Sequence, residues 1–154
     1  MTDTTTDPGS EHRAEPTRIA FVCVQNAGRS QMSHAFAERE VERRGLDGRV
    51  DLLTGGTHPA DRVHPAVVDV MDEVGVDLSG RTPRELSDEE LRSCDHVATM
   101  GCSTLDLGTA TGVEVRDWDL DDPDGRGLDE VREIRDEVER RVRALFDELA
   151  PATN

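Results

Sequence analysis

A single α/β domain with a central parallel sheet of four strands and helices on both faces is the fold this sequence predicts. Three observations carry it. Short apolar runs alternate with helical patterns along the chain. The first run, Arg18 to Val24 (RIAFVCV), is continuously apolar, as a strand covered on both faces requires. The chain has 154 residues, about one domain's length.

Residues 1–16 are polar Thr, Asp, Glu, Pro and Gly with nothing to bury, and read as a disordered leader to a domain over residues 17–150. After the first strand a polar turn leads into a helical pattern from about Arg29 to Arg44. Val50 to Leu53 reads as a second strand, ended by Gly55 and Gly56. From His64 to Val74, the spacing of Val67, Val68, Met71 and Val74 predicts a second helix. Ser87 with Glu90 three residues on forms a capping box for a short helix through Leu91. His96 to Met100 and Val113 to Arg116 supply strands three and four. Val131, Ile134, Val138, Val142 and Leu145 then recur at helical spacing in a closing amphipathic helix, Leu128 to Leu149.

Composition excludes several classes. Asp and Glu number 34 against 18 basic residues, all Arg, and the net charge of −16 repels a phosphate backbone, so nucleic acid is not an expected partner. Acidic groups crowding the solvent faces of the helices fit a salty interior, where screening weakens self-repulsion; a halophilic protein is expected. No apolar run approaches the ~20 residues of a membrane span and no signal peptide opens the chain, so the expected setting is cytoplasmic, without membrane contact. Cys23, Cys94 and Cys102 are widely spaced and lack a C-x-x-C pair, which argues against a disulfide scaffold or a metal site.

Ligands of such sheets bind at the carboxyl ends of the strands, which directs attention to the loop after strand one. It reads Cys23-Val24-Gln25-Asn26-Ala27-Gly28-Arg29-Ser30. Small residues at Ala27 and Gly28 let successive backbone N–H groups turn inward, the helix N-terminus adds its positive end, and Arg29 offers a planar fork to two oxygens. The loop from Val24 to Ser30 is thus a cradle for a tetrahedral oxyanion. Cys23 stands at its base, where these groups favour a thiolate and hence a nucleophile. Ser30 can donate its hydroxyl to that sulfur, and Asn26 can hold the loop through side-chain bonds.

Cys23 to Met32 (CVQNAGRSQM) resembles the phosphate-binding loop of the low-molecular-weight protein tyrosine phosphatases and of the thioredoxin-linked arsenate reductases that share their fold. The resemblance runs from about Arg18 to Leu149, through Thr54-Gly55-Gly56-Thr57, Val76-Asp77-Leu78-Ser79, Thr82 and Trp118 to Gly125. It implies a three-layer, low-molecular-weight phosphatase-like fold, with the Asp122-Pro123 pair supplying the general acid. An Asp on a loop beyond a strand's carboxyl end suits that role, because it can protonate an oxygen leaving an anion held by Arg29.

Both branches of the resemblance begin with attack of a Cys thiolate on phosphorus or arsenic. A phosphatase then needs water and a grip on an aryl ring; a reductase needs a second thiol. Aromatic residues are scarce, and Arg29-Ser30-Gln31-Met32 is similar to the reductases, where phosphatases usually place Pro at the position of Gln31. Cys102 matches, after a one-residue shift, the reductases' second redox Cys. A third Cys is lacking six or seven residues on, where Gly108 and Thr109 stand. Gln25 and Gly28 occupy positions where family members often have Gly and Cys. His34 and Arg84 replace acidic potassium ligands of related reductases, so that site is not expected. Cys94 precedes strand three and falls toward the other edge of the sheet, a structural position. His58 and His64 flank the loop after strand two, either touching substrate or serving the loop and helix start. Arg81 and Arg84 either extend the positive rim or pair with nearby acids.

The expected activity is arsenate reduction to arsenite. Cys23 is the nucleophile, Arg29 the oxyanion clamp, Ser30 a tuning group, Asp122 the acid and Cys102 the resolving thiol. Phosphate would compete, no cofactor is bound, and electrons would come from thioredoxin, glutaredoxin or a small thiol. The alternative is a phosphatase acting on phosphomonoesters through phosphocysteine.

Overall fold

The computed structural model describes residues 16–100 and 113–149. The leader (apart from Pro16), Cys102 and the positions of Gly108 and Thr109 lie outside the described residues. The elements are β1 (Thr17–Cys23), α1 (Arg29–Arg43), β2 (Val50–Gly56), α2 (Pro65–Asp72), α3 (Asp88–Arg92), β3 (His96–Met100), β4 (Glu114–Asp117) and α4 (Leu128–Leu149). The four strands pair in parallel in the order β2-β1-β3-β4.

Alternation along β1 divides the core. Ile19, Phe21 and Cys23 face a large cluster completed by Met32 and Phe36 of α1, Val67, Val70 and Met71 of α2, and the apolar stripe of α4. Ala20 and Val22 point the other way, to Leu86, Leu91, Cys94 and Val97. Helices therefore cover both faces unequally, three on one side and α3 on the other. The α4 stripe Val131, Ile134, Val138, Val142, Leu145 and Phe146 is buried along its length, and each such side chain contributes about 1.5–3 kcal/mol by leaving water.

Several boundaries shift by a residue or two from the sequence reading, and two of the differences shape the site. The strand starting at Val50 does not stop before its glycines: Gly55 and Gly56 pair with Val22 and Cys23. The cause is close approach. A Cβ at Gly55 would stand 2.6 Å from Leu86 Cγ, and one at Gly56 2.5 Å from the Val24 carbonyl oxygen, so these positions continue the strand while leaving room for neighbouring segments. At the end of β1, Cys23 is the last strand residue, because the carbonyls of Cys23 and Val24 turn to accept from the amides of Thr57 and His58. The capping box at α3 forms as its sequence predicts: Glu90 N donates to Ser87 Oγ at 3.0 Å and Ser87 N to Glu90 Oε1 at 2.9 Å. Cys23 ends up in register with Gly56 on one side and Met100 on the other. The loops leaving β1, β2 and β4 consequently meet at one end of the sheet.

Candidate active site

The turn from β1 into α1 has no side-chain cap, which leaves its first amides for another acceptor. Its shape is fixed by Asn26, buried and left-handed at φ 52°, a conformation Asn tolerates better than most residues. The Asn26 amide nitrogen donates to Ser30 Oγ at 2.6 Å and to Thr54 Oγ1 at 2.9 Å, while its oxygen accepts from Gln31 Nε2 at 3.1 Å and from the Arg84 backbone at 3.0 Å. Thr54 in turn reaches the Phe21 and Ser30 carbonyls. One side chain thus ties β1, α1, β2 and the segment before α3 together.

Cys23 sits inside this frame. Its sulfur lies 2.9 Å from Ser30 Oγ and accepts from the Asn26 amide at 3.2 Å. Above it opens a cleft of about 120 Å³ lined by Cys23, Val24, Gln25, Ala27, Gly28, Arg29, His64, Asp122 and Pro123. Asn26 and Ser30 are wholly buried behind that wall. Arg29 is also buried; it donates from Nη1 to the Leu120 carbonyl at 3.0 Å, and its Nη2 lies 3.8 Å from Asp122 Oδ2. The Asp122 carboxylate is otherwise held by the Asp124 amide at 3.0 Å and is more than half exposed. Thiol, guanidinium and carboxylate therefore converge on one small space.

The flanking residues divide. His64 caps α2, lines the cleft and donates its amide to the Ala27 carbonyl, while exposed His58 contacts Thr57. Arg81 and Arg84 pair with acids: Arg81 with Glu38, beside His34, and Arg84 with Glu90. Burial holds the His34 imidazole below its ordinary value, with Glu38 opposing and Arg81 reinforcing the effect. Cys94 lies before β3 in the smaller core, where burial pushes its thiol up; it remains a protonated core residue. Phe21, Phe36, Phe146 and Trp118, the whole aromatic complement of the chain, are buried. Phe21 and Trp118 pack on each other at 6.0 Å between centroids. Among the described residues, no Phe or Trp lines the cleft.

Three contributors escape local sequence logic: the Leu120 carbonyl, Pro123 as a wall, and Thr54 as a brace. Each acts across loops far apart in sequence.

The chain matches the low molecular weight phosphotyrosine protein phosphatase family model over residues 18–153. It is 68% identical over 135 residues to a Halobacterium salinarum protein named "Putative arsenate reductase", spanning 88% of this chain and 94% of that one. To the glutaredoxin arsenate reductase of Synechocystis sp. it is 33% identical, over 86% and 98% of the two chains. Among solved structures, the thioredoxin-dependent arsenate reductase of Corynebacterium glutamicum superposes with a TM-score of 0.72 at 31% identity, covering 90% of this chain and 65% of that chain. An arsenate reductase in its phosphate-binding state gives a TM-score of 0.73 at 30% identity, over 87% and 99%.

Proposed function

The chain belongs to the low molecular weight phosphotyrosine protein phosphatase family, and we propose that within it the protein is an arsenate reductase with Cys23 as nucleophile. The observation that carries this is a buried thiol facing Arg29 and Asp122 in a small cleft that no Phe or Trp among the described residues lines. A free oxyanion needs no aryl platform, and pockets for larger ligands usually run to ~300–1,000 Å³.

The loop amides and Arg29 hold arsenate with its arsenic over Cys23. The thiolate attacks in line, an As–O bond breaks, and Asp122 gives its proton to the departing oxygen as water. Ser30 stabilises the sulfur before attack. Cys102 then attacks the Cys23 sulfur: an S–S bond forms, the S–As bond breaks with its electron pair going to arsenic, and arsenite departs. Two thiols have lost two electrons. The disulfide is reopened by an external thiol such as thioredoxin, glutaredoxin or a small thiol, in keeping with the names of two relatives and with a reducing cytoplasm.

Support for the resolving role comes from the register of the sheet. Met100, two residues before Cys102 in the sequence, is the β-partner of Cys23; the disulfide would require the Cα atoms of Cys23 and Cys102 within about 7 Å of each other. The phosphatase alternative shares the first step and would leave Cys102 idle. Among the described residues no helix is long and apolar enough to cross a membrane.

The test is a single turnover with arsenate and no reductant, followed by peptide mapping. A Cys23–Cys102 disulfide, with Cys102→Ser arresting reduction after the adduct, is the expected result. Arsenite release with Cys102 free and Cys102→Ser fully active would remove Cys102 from the mechanism, and hydrolysis of phosphomonoesters without arsenate turnover would replace the reductase by the phosphatase.

A further inference from the structure

We propose that Gly28 is a specificity-determining position: its bare Cα seats Pro123 on the anion loop and so closes the cleft to phosphomonoesters while admitting the free anion. The inference deepens the anion-site reading above and rests on it.

Gly28 has φ −144°, so handedness is not what calls for glycine here. Space is. A Cβ at residue 28 would stand 2.7 Å from Pro123 Cγ, 3.5 Å from Pro123 Cδ and 3.6 Å from His64 Cδ2. The first distance is shorter than carbon atoms tolerate, and the proline ring has little freedom to yield. The loop bearing Asp122 therefore rests on the cradle at two points: Pro123 against Gly28, and the Leu120 carbonyl on Arg29. Together they keep Asp122 near Arg29.

The consequence follows from in-line geometry. The group that leaves arsenic or phosphorus points away from the Cys23 sulfur, out through the cleft mouth. Gly28, His64 and Pro123 stand together on that wall. For a free oxyanion the leaving oxygen carries only hydrogen. In an ester it carries a carbon substituent, which must pass beside Pro123 and finds no Phe or Trp surface among the described residues to compensate. A side chain at residue 28 would lift Pro123, widen the mouth and draw Asp122 back.

Binding separates this idea from the reductase chemistry. On a Cys23→Ser background, calorimetry in molar salt compares inorganic phosphate with phenyl phosphate. Phenyl phosphate should bind at least about tenfold more weakly, and adding Gly28→Ala or Pro123→Ala should shrink the gap to about threefold or less, the scale on which small steric changes discriminate ligands. Pro123→Ala opens the same wall without crowding the turn, and decides the matter if Gly28→Ala does not fold. The proposal is overturned if Cys23→Ser binds no phosphate, if it binds the two ligands alike, or if folded Pro123→Ala leaves the gap intact. A narrowing gap in a protein whose wild type does not turn over arsenate would sink the reductase reading and leave the role of Gly28 standing.

Discussion

Asn26 offers the sharpest test of how the site is held together. In Asn26→Ala, the Gln31 amide nitrogen loses its only partner among the described residues, and Gln31 Oε1 has none to begin with. Orphaning such a buried donor costs about 1–3 kcal/mol. The Arg84 amide also loses its acceptor, but water can reach that partly buried segment, so about 1 kcal/mol is the appropriate allowance. Ser30 and Thr54 keep other partners. Alanine at φ 52° adds roughly 1–2 kcal/mol of left-handed strain. The sum is about 3–6 kcal/mol, a large part of the ~5–15 kcal/mol available to a domain. Urea unfolding in molar salt measures it. Asn26→Asp separates shape from charge, since it keeps both acceptor contacts but loses the donations to Ser30 and Thr54 and sets a carboxylate behind Cys23. Alkylation of Cys23 by iodoacetamide should then slow by about tenfold or more, because a neighbouring anion disfavours the thiolate. A loss below about 1 kcal/mol in Asn26→Ala, or wild-type alkylation in Asn26→Asp, would refute the view that this side chain holds the loop.

Cys23→Ser and Arg29→Ala should each cut arsenate turnover by about 10²-fold or more, read as arsenite production with excess thiol; activity surviving in either would mean that the chemistry lies elsewhere. Asp122→Asn should slow adduct formation by about 10²-fold while sparing phosphate binding, whereas Asp121→Asn should have little effect; the reverse pattern would move the acid by one residue. Glu73, bonded to Arg132 and Arg135, has its carboxyl drawn down from 4.5 to about 2 by those guanidiniums. Its folded value lies below its unfolded one, so its contribution is complete above about pH 4.5 and disappears as pH falls through about 2. Glu73→Gln should flatten that part of the acid unfolding curve, and an unchanged acid limb would show that the bridge between α2 and α4 does not act in solution.

Legibility of the molecule follows the range of its interactions. Periodicity placed α4 because one helix face carries its own record of burial, and Ser87 with Glu90 marked α3 because a capping box is local. The order from Cys23 to Ser30 exposed the anion loop for the same reason: a strand end, small residues, an Arg and a helix start are contiguous. Contacts between segments left no such trace. Gly55 and Gly56 read as a strand end because glycine usually breaks strands, yet here Leu86 and the Val24 carbonyl need the space a side chain would fill. Arg84 was open to two readings because its sequence neighbours are acidic and its fold neighbours include the anion loop; its side chain went to Glu90 and its amide to Asn26. Nothing near Gly28 announces Pro123.

Anion chemistry within a chain of net charge −16 raises a physical conflict that salt can resolve. Most arginines are engaged with carboxylates, such as Arg44 with Glu40 and Asp147, Arg116 with Glu148, and Arg141 with Glu137. Arg29 is engaged otherwise: its close partner is a neutral carbonyl, and Asp122 stands at 3.8 Å. Its charge, with the loop amides, is therefore available to an oxyanion at short range. At long range the surplus acids oppose the same anion and one another. Screening acts on these two ranges unequally, because the Debye length falls from ~10 Å at 0.1 M to ~3 Å at 1 M salt. Direct contacts in the cleft survive that change, whereas surface repulsion does not. Raising chloride from low to molar concentration should therefore increase the melting temperature and lower the KM for arsenate, with kcat changing less. Exposed ion pairs are weakened by the same salt, but each is worth little, and 34 acids against 18 arginines leave repulsion the larger effect. A melting temperature that stays flat or falls, measured by calorimetry across that range, would show that the acidic surface does not govern stability. A KM that rises from the lowest salt onward would show that chloride competes at Arg29 more strongly than the surface charge repels.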